Sequence, residues 1–172
     1  FLFNSTVITL LACVGSIALS AMAGFALSRY RFRGATLLLA LFIAGNFVPF
    51  QMLMIPVRDI SLHVIPVYDT IWALVIFHIA FQTGFCTLFM RNFIAELPNE
   101  LIEAARVEGV SEIGIFLHVI LPLVRPAMAA LFVLIFTFVW NDYFWSLVLV
   151  QSDSARPVTA GIQALKETWT NT

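Results

Sequence analysis

The sequence predicts an all-α fold, a polytopic transmembrane helical bundle of four spans with a pair of short helices between the last two. Three observations carry that expectation. The chain is 61% hydrophobic and only 11% charged over 172 residues, where soluble domains carry roughly 25% charged residues. Four segments are long enough to cross a bilayer, which takes about 20 apolar residues. Half of the 10 acidic residues, Glu96, Glu100, Glu103, Glu108 and Glu112, lie in a single insertion. One soluble domain of this size could not hide so much apolar surface, so much of it is expected to face lipid. The net charge of −1 leaves no basic stripe to neutralise phosphates and argues against nucleic acid as a partner. Cys13 and Cys86 sit inside apolar runs and read as small buried hydrophobes, not as a disulfide or metal pair.

The spans are expected near residues 7–27, 35–57, 70–89 and 128–150. In the first, Ala12, Ser16, Ser20, Gly24 and Ser28 recur every four residues. Such a small-residue stripe lets another helix backbone approach closely, which is how helices associate in lipid. The second is interrupted by Asn46 and Pro49 and is expected to kink there. The third carries Phe77, Phe81, Phe85 and Phe89 on one face, lipid-facing or packed, with His78 and Gln82 beside them. The chain opens on Phe1 inside an apolar run without the basic flank of a signal peptide. It is expected to be a piece of a longer protein, its single domain (residues 1–172) incomplete at both ends.

Basic residues set the orientation. Arg29, Arg31 and Arg33 lie between the first two spans, and Arg91, Arg106 and Arg125 in or beside the insertion. Arg58, Arg156 and Lys166 lie at the other ends. The positive-inside rule therefore places the insertion in the cytoplasm. Within it, Pro98 suits a first helical turn. Asn99, Glu100 and Glu103 follow where the helix dipole favours negative charge, and Glu103 can pair with Arg106 three residues on. Gly109 falls where a left-handed residue ends the helix. Ser111 caps a second short helix running to about Leu117, and Pro122 is expected to stop it. From the residues alone, this hinged pair is either a docking surface or a solvated connector.

The stretch "EAARVEGVSEIGIFLHVILP" resembles the EAA motif of ATP-binding-cassette (ABC) importer permeases: Glu-Ala-Ala, three residues, Gly, nine residues, Ile, any residue, Leu-Pro. Glu103, Ala104, Ala105, Gly109, Leu121 and Pro122 match, and Val119 stands at the Ile position. "IPVYDTIWALV", "MRNFIAELPNELIEAA" and "WNDYFWSLVLV" are similar to the carbohydrate-uptake, MalG-like branch of these type I importers. The resemblance covers essentially the whole chain. It implies that residues 93–122 form a cytoplasmic coupling loop in which Glu103, Ala104, Ala105, Arg106, Gly109, Leu121 and Pro122 engage an ATPase subunit. It also implies a second permease subunit, an extracytoplasmic solute-binding protein and a bacterial inner-membrane location, with half of a sugar translocation path supplied here.

No cofactor is expected on this chain. It contains no GxxxxGK[ST] phosphate loop, and Lys166 is its one lysine, so ATP and Mg2+ are expected to be used by the partner ATPase. For the substrate path the candidates are Asn141 and Asp142, polar groups inside a span, with Trp140 for stacking on a sugar ring, and His78 and Gln82. The competing reading is a polar clamp between helices at Asn141 and Asp142 with an outer aromatic belt at Trp140, and a buried, hydrogen-bonded pair at His78 and Gln82. No third ligand stands at helical spacing from His78 and Gln82, so no metal site is expected. A type I importer for another solute (an amino acid, phosphate or glycerol phosphate) is the nearest alternative. An ion-coupled carrier relaying charge through Asp142 and His78 is more distant, and leaves the Glu-Ala-Ala spacing without a reason. A purely structural membrane scaffold is a third, and predicts no ATPase partner.

Overall fold

A computed structural model describes residues 1–170, so the last two residues of the expected domain lie outside the described residues. Every regular element among the described residues is helical. These are α1 (Leu2–Arg29), α2 (Ala35–Gly45), α3 (Met54–Asp59), α4 (Ile71–Ala95), α5 (Asn99–Val107), α6 (Glu112–Ile115), α7 (Leu121–Leu123), α8 (Arg125–Trp140), α9 (Phe144–Leu149) and α10 (Val158–Thr170). A 3-10 turn, Phe50–Leu53, precedes α3, and π-helical turns occupy Ile60–Val64 and Phe116–Ile120. Two helices, α1 and α4, are long and apolar enough to cross a membrane, and up to four spans result if each of two bent pairs counts as one. The chain forms two compact units. One takes in Ser16–Phe47 and Gln82–Val133, the other Phe1–Gly15, Val48–Phe81 and the segment from Leu134 on.

In the first unit the small-residue stripe does what its spacing predicts. Ser16, Ser20 and Gly24 are buried, and a Cβ at Gly24 would stand 2.8 Å from the backbone N of Arg91 and 2.9 Å from Cβ of Met90. The backbones of α1 and α4 therefore approach as closely as a hydrogen side chain permits. Along α4 the buried residues recur every four positions: Leu74, His78, Gln82, Cys86, Met90 and Ile94. Phe81, Phe85 and Phe89 stay exposed on another face, as lipid contact requires, and only Phe77 of that row is buried. In α8 the buried row is Ala127, Leu131, Ile135 and Val139. No residue of α2 is buried.

Three expectations need correction. The span expected over residues 35–57 is not one helix: α2 stops at Gly45 and helix resumes only at Phe50. Pro49 has no N–H to donate and pushes its predecessor out of the helical region, which makes the interruption a break instead of a kink. The span expected over residues 128–150 ends early, because α8 stops at Trp140 and α9 begins at Phe144. Lastly, Pro122 does not stop the second loop helix. Phe116–Ile120 widens into a π turn, Leu121 donates to the Phe116 carbonyl, and Pro122 sits in the first turn of α7. The wider turn makes room for a ring that would clash in a regular helix. The chain bends instead just beyond, at Val124, by 71° between Glu112–Leu123 and α8.

In the second unit the connection between α3 and α4 is tied to the segment after α9. Asp69, at φ 59°, accepts from the backbone N–H groups of Gln151 (2.6 Å) and Ser152 (2.7 Å), while its own N–H donates to the Leu149 carbonyl at 3.0 Å. Those two donors hold the Asp69 carboxyl below its ordinary pKa, that of Ser152 most strongly. Asn4 donates to the carbonyls of Ser154 and Arg156, and the Ser5 hydroxyl accepts from Val158 N–H.

The Gly24 contact makes a test. Gly24→Val would drive a side chain into the Arg91 backbone, and overpacking of this kind costs about 1–3 kcal/mol. Gly45→Ala meets open space and is expected to be tolerated. Thermal unfolding of the purified protein in detergent should show a lowered midpoint for the first and none for the second.

Candidate functional site

The segment expected as the coupling loop, residues 93–122, starts within α4, which runs on to Ala95. Pro98 stands just before α5, not inside it, with extended ψ of 133°. α5 then buries Ile102 and Ala105 and exposes Glu103, Ala104 and Arg106. Gly109 has φ 80°, the left-handed conformation that a β-carbon disfavours. Beyond it the Ser111 side chain accepts from Gly114 N–H and caps α6. Leu121 is half-buried and Pro122 exposed, both beyond the π turn.

The electrostatic centre of the loop is Glu112, not Glu103. Arg106 Nε donates to Glu112 Oε1 at 2.8 Å, across the Gly109 turn, and the Tyr30 hydroxyl donates to Glu112 Oε2. The expected Glu103–Arg106 pair is thereby replaced. The Gly109 turn folds α6 back on α5 and brings both Glu112 carboxylate oxygens within reach of the Arg106 guanidinium, at 2.8 and 3.3 Å. Arg106 first and Tyr30 second hold the Glu112 carboxyl below its ordinary pKa. Tyr30 is pushed up, by burial and then by its hydrogen bond to Glu112. Arg29 closes the other side, donating to the carbonyls of Ile94 and Leu97 and to the Asn99 side chain. The loop's outward surface is apolar as well as acidic: Val107 is 89% and Ile113 73% exposed. Spacing alone named neither Tyr30, Glu112 nor these two side chains. The acid cluster and the basic "SRYRFRG" turn were the only signals that could have pointed to the first pair.

The polar candidates of the last expected span lie in its break. Asn141 donates to the Thr137 carbonyl at 2.7 Å and is exposed. The Asp142 carboxylate accepts from Trp145 N–H (3.3 Å) and Ser146 N–H (3.2 Å), capping the first turn of α9. Its Oδ2 lies 3.6 Å from His78 Nε2, with the two side chains only 13% and 6% exposed. The Asp142 backbone carbonyl accepts from the Thr159 hydroxyl at 2.7 Å. Next to them Phe77 and Trp145 rings pack with centroids 3.8 Å apart. Trp140 is half-buried and stacks on Phe136. Gln82 is buried one turn along α4 from His78. The structure thus brings Asp142 and His78 together. A cavity of about 300 Å³ lies apart from them, lined mainly by Met54, Ile55, Phe144 and Leu147 with Arg58 over the Tyr68 ring. Gln151 also lines it, and none of the five candidates does.

Two tests follow from these geometries. Because the Glu112 carboxyl is depressed in the folded state, its contribution to stability is present above the ordinary value of 4.5 and is lost as pH falls through the lower folded value. The hydrogen-exchange protection factors of residues 99–115, taken against intrinsic rates at each pH, should therefore fall below pH 4.5 in the wild type, and Glu112→Gln should show the lower protection already at neutral pH. For the break, Asp142→Ala should cost about 1–2 kcal/mol through the lost cap. Asp142→Asn, which keeps one acceptor, should cost less in the same unfolding measurement.

Residues 16–171 match the protein family described as "Binding-protein-dependent transport system inner membrane component". The chain is 29% identical over 182 residues to the xylose/arabinose import permease protein XacI of Haloferax volcanii, covering 95% of this chain and 59% of that protein. It is 32% identical over 162 residues to the arabinooligosaccharides transport system permease protein AraQ of Halalkalibacterium halodurans, covering 94% and 57%. The sn-glycerol-3-phosphate transport system permease protein UgpE of Pectobacterium atrosepticum is 31% identical over 164 residues, covering 95% and 57%. The chain thus spans somewhat over half the length of the curated relatives it matches. A crystal structure of a bacterial ABC transporter involved in import of the acidic polysaccharide alginate superposes with a TM-score of 0.82 at 24% identity, over 94% of this chain and 56% of that one. The fold is therefore that of an ABC importer permease, and the chain, an integral membrane protein, belongs to the binding-protein-dependent transport system inner membrane component family.

Proposed function

We propose that this chain is the core of a permease subunit of an ABC importer for sugars. It supplies half of a translocation path and receives motion from a cytoplasmic ATPase through α5, the Gly109 turn and α6. The observation that carries the reading is the outward face of that loop. Glu103, Ala104, Val107 and Ile113 are exposed on short helices that Arg106, Glu112 and Tyr30 tie to one another and to the end of α1. Exposed apolar residues on a charged loop are costly in water and are accounted for by a partner surface. The remaining family motif positions, Ala105, Gly109, Leu121 and Pro122, hold the shape of this surface.

Orientation follows the same line. The "SRYRFRG" turn touches the coupling loop through Arg29 and Tyr30, so both basic loops belong to one end of the first unit, the end that positive-inside reasoning puts in the cytoplasm. ATP and Mg2+ are used by the ATPase, and an extracytoplasmic binding protein delivers solute on the other side. A second permease subunit completes the path. It and lipid would cover the largely exposed α2, with Leu37 at 64% and Leu41 at 60% exposure. Along the path, Asn141 and Trp140 are the groups on offer to a sugar. Asp142, His78 and Gln82 shape the break beside them. Similarity to pentose and arabinooligosaccharide permeases favours sugars; that to UgpE keeps glycerol phosphate as the second reading.

Gly109→Val tests the docking role. Nothing lies within 4 Å of a Cβ at Gly109, so the substitution acts through backbone strain at positive φ, about 1–3 kcal/mol, and not through a clash. The expected outcome is normal membrane insertion with loss of ATPase co-purification and of uptake. Unchanged ATPase binding and uptake would sink the docking assignment.

A further inference from the structure

α1 is not joined to the coupling loop by the chain: α2 and the rest of the sequence up to α4 lie between them. Yet its end is fastened there at several points on both sides of the Gly109 turn. The Arg29 guanidinium takes the carbonyl of Ile94 at the end of α4, that of Leu97 just beyond it, and the Asn99 side chain at the start of α5. One residue on, the Tyr30 hydroxyl holds Glu112 of α6, whose other oxygen is held by Arg106 of α5. The Phe25 ring lies 5.6 Å from the Tyr30 ring and 5.5 Å from that of Phe116 in the π turn. Tyr30 N–H still bonds to the Ala26 carbonyl at 3.0 Å, so these side chains extend directly from a continuous 28-residue helix.

We infer that Arg29 and Tyr30 are positioning residues that make α1 a third mechanical output of the coupling loop, besides α4 and α8, which the loop reaches through the chain. The inference rests on the docking reading above. A loop pushed on its Val107 and Ile113 face cannot shift without breaking the Glu112 and Asn99 bonds or carrying α1 with it. Charge-assisted and forked hydrogen bonds hold better than the exposed surface contacts they accompany. α1 is one unbroken helix, about 42 Å long at 1.5 Å per residue, and so moves as a rod. The Gly24 contact with α4 then acts as its bearing.

The test uses the full permease assembled with its partner subunits, in a background lacking Cys13 and Cys86. Nitroxide labels go on the exposed positions Met22 of α1 and Phe85 of α4, and MgATP is the probe. In the parent protein α1 and α4 are expected to move together, so the distance between the labels stays constant when MgATP is added. In the Arg29→Lys, Tyr30→Phe double variant the lysine cannot fork across two carbonyls. There α4 moves alone, and the distance is expected to change by about 1–2 Å, the scale of helix shifts in such transitions. The ATPase subunit should co-purify with this variant in the parental amount. A variant whose label distance stays constant overturns the inference. So does loss of the ATPase from the variant, which would make Arg29 and Tyr30 part of docking itself. A parent protein that recruits no ATPase fails at an earlier step, and identifies the docking reading as the error.

Discussion

Within a hydrocarbon layer no water is at hand to take up a broken backbone hydrogen bond, so each interruption of a helix has to be closed by the chain itself. This constraint explains where the polar residues of this protein stand. At the end of α2 the Asn46 side chain donates to the carbonyl four residues back, that of Phe42. At the end of α8 Asn141 does the same to Thr137. Asp142 then satisfies two N–H groups that open α9. Pro122 is met differently, by a turn wide enough to pass its ring. The helix breaks are built features with their own partners, and the polar atoms at them are first of all structural.

The coupling loop obeys a related rule. α5 has nine residues and α6 four, far short of the length at which an isolated helix holds itself together in water. Helices this short need support from outside themselves. It comes from sharing: one carboxylate, Glu112, is held from α5 and from the end of α1, and one guanidinium, Arg29, is held by α4 and α5. Burial of Ile102, Ala105 and Ile115 supplies the apolar floor. The other four acids of the insertion, Glu96, Glu100, Glu103 and Glu108, stand exposed outside this network.

Local chemistry was legible in the sequence and distant chemistry was not. The four-residue stripe of α1 needed only helical periodicity, and the Gly109 turn and Ser111 cap needed only the backbone preferences of two residues. The fold class and the family motif were equally open to reading, because membrane composition and fixed spacing survive without coordinates. Spacing failed where the chain doubles back. Glu103 looked like the partner of Arg106 because it is three residues away on a helix, whereas Glu112 is six away and arrives only because the turn returns it. Arg29 and Asn99 are 70 positions apart, Tyr30 and Glu112 82; no periodicity joins them. The second and fourth spans were drawn as continuous rods because hydropathy averages over a break of three or four residues. A single Pro or an Asn-Asp pair is enough to make one.

Asp142 shows why a polar residue in an apolar segment is an ambiguous sign. A carboxylate that relays charge for an ion-coupled carrier has to exchange partners, and one or more of them should be solvent or ion. The Asp142 carboxylate has instead two backbone N–H donors at the start of a helix, where the dipole also favours its charge, and the His78 imidazole beside it. Its acceptor sites are committed to the first turn of α9, and both side chains are nearly closed to solvent. Asn141, one residue earlier, keeps an exposed side chain and bonds only to the turn behind it. Adjacent polar residues thus divide the work: the buried acid sets the angle at which the chain breaks, and the break presents the neutral amide. A neutral amide beside an aromatic ring suits a hydroxylated, uncharged solute better than it suits an ion.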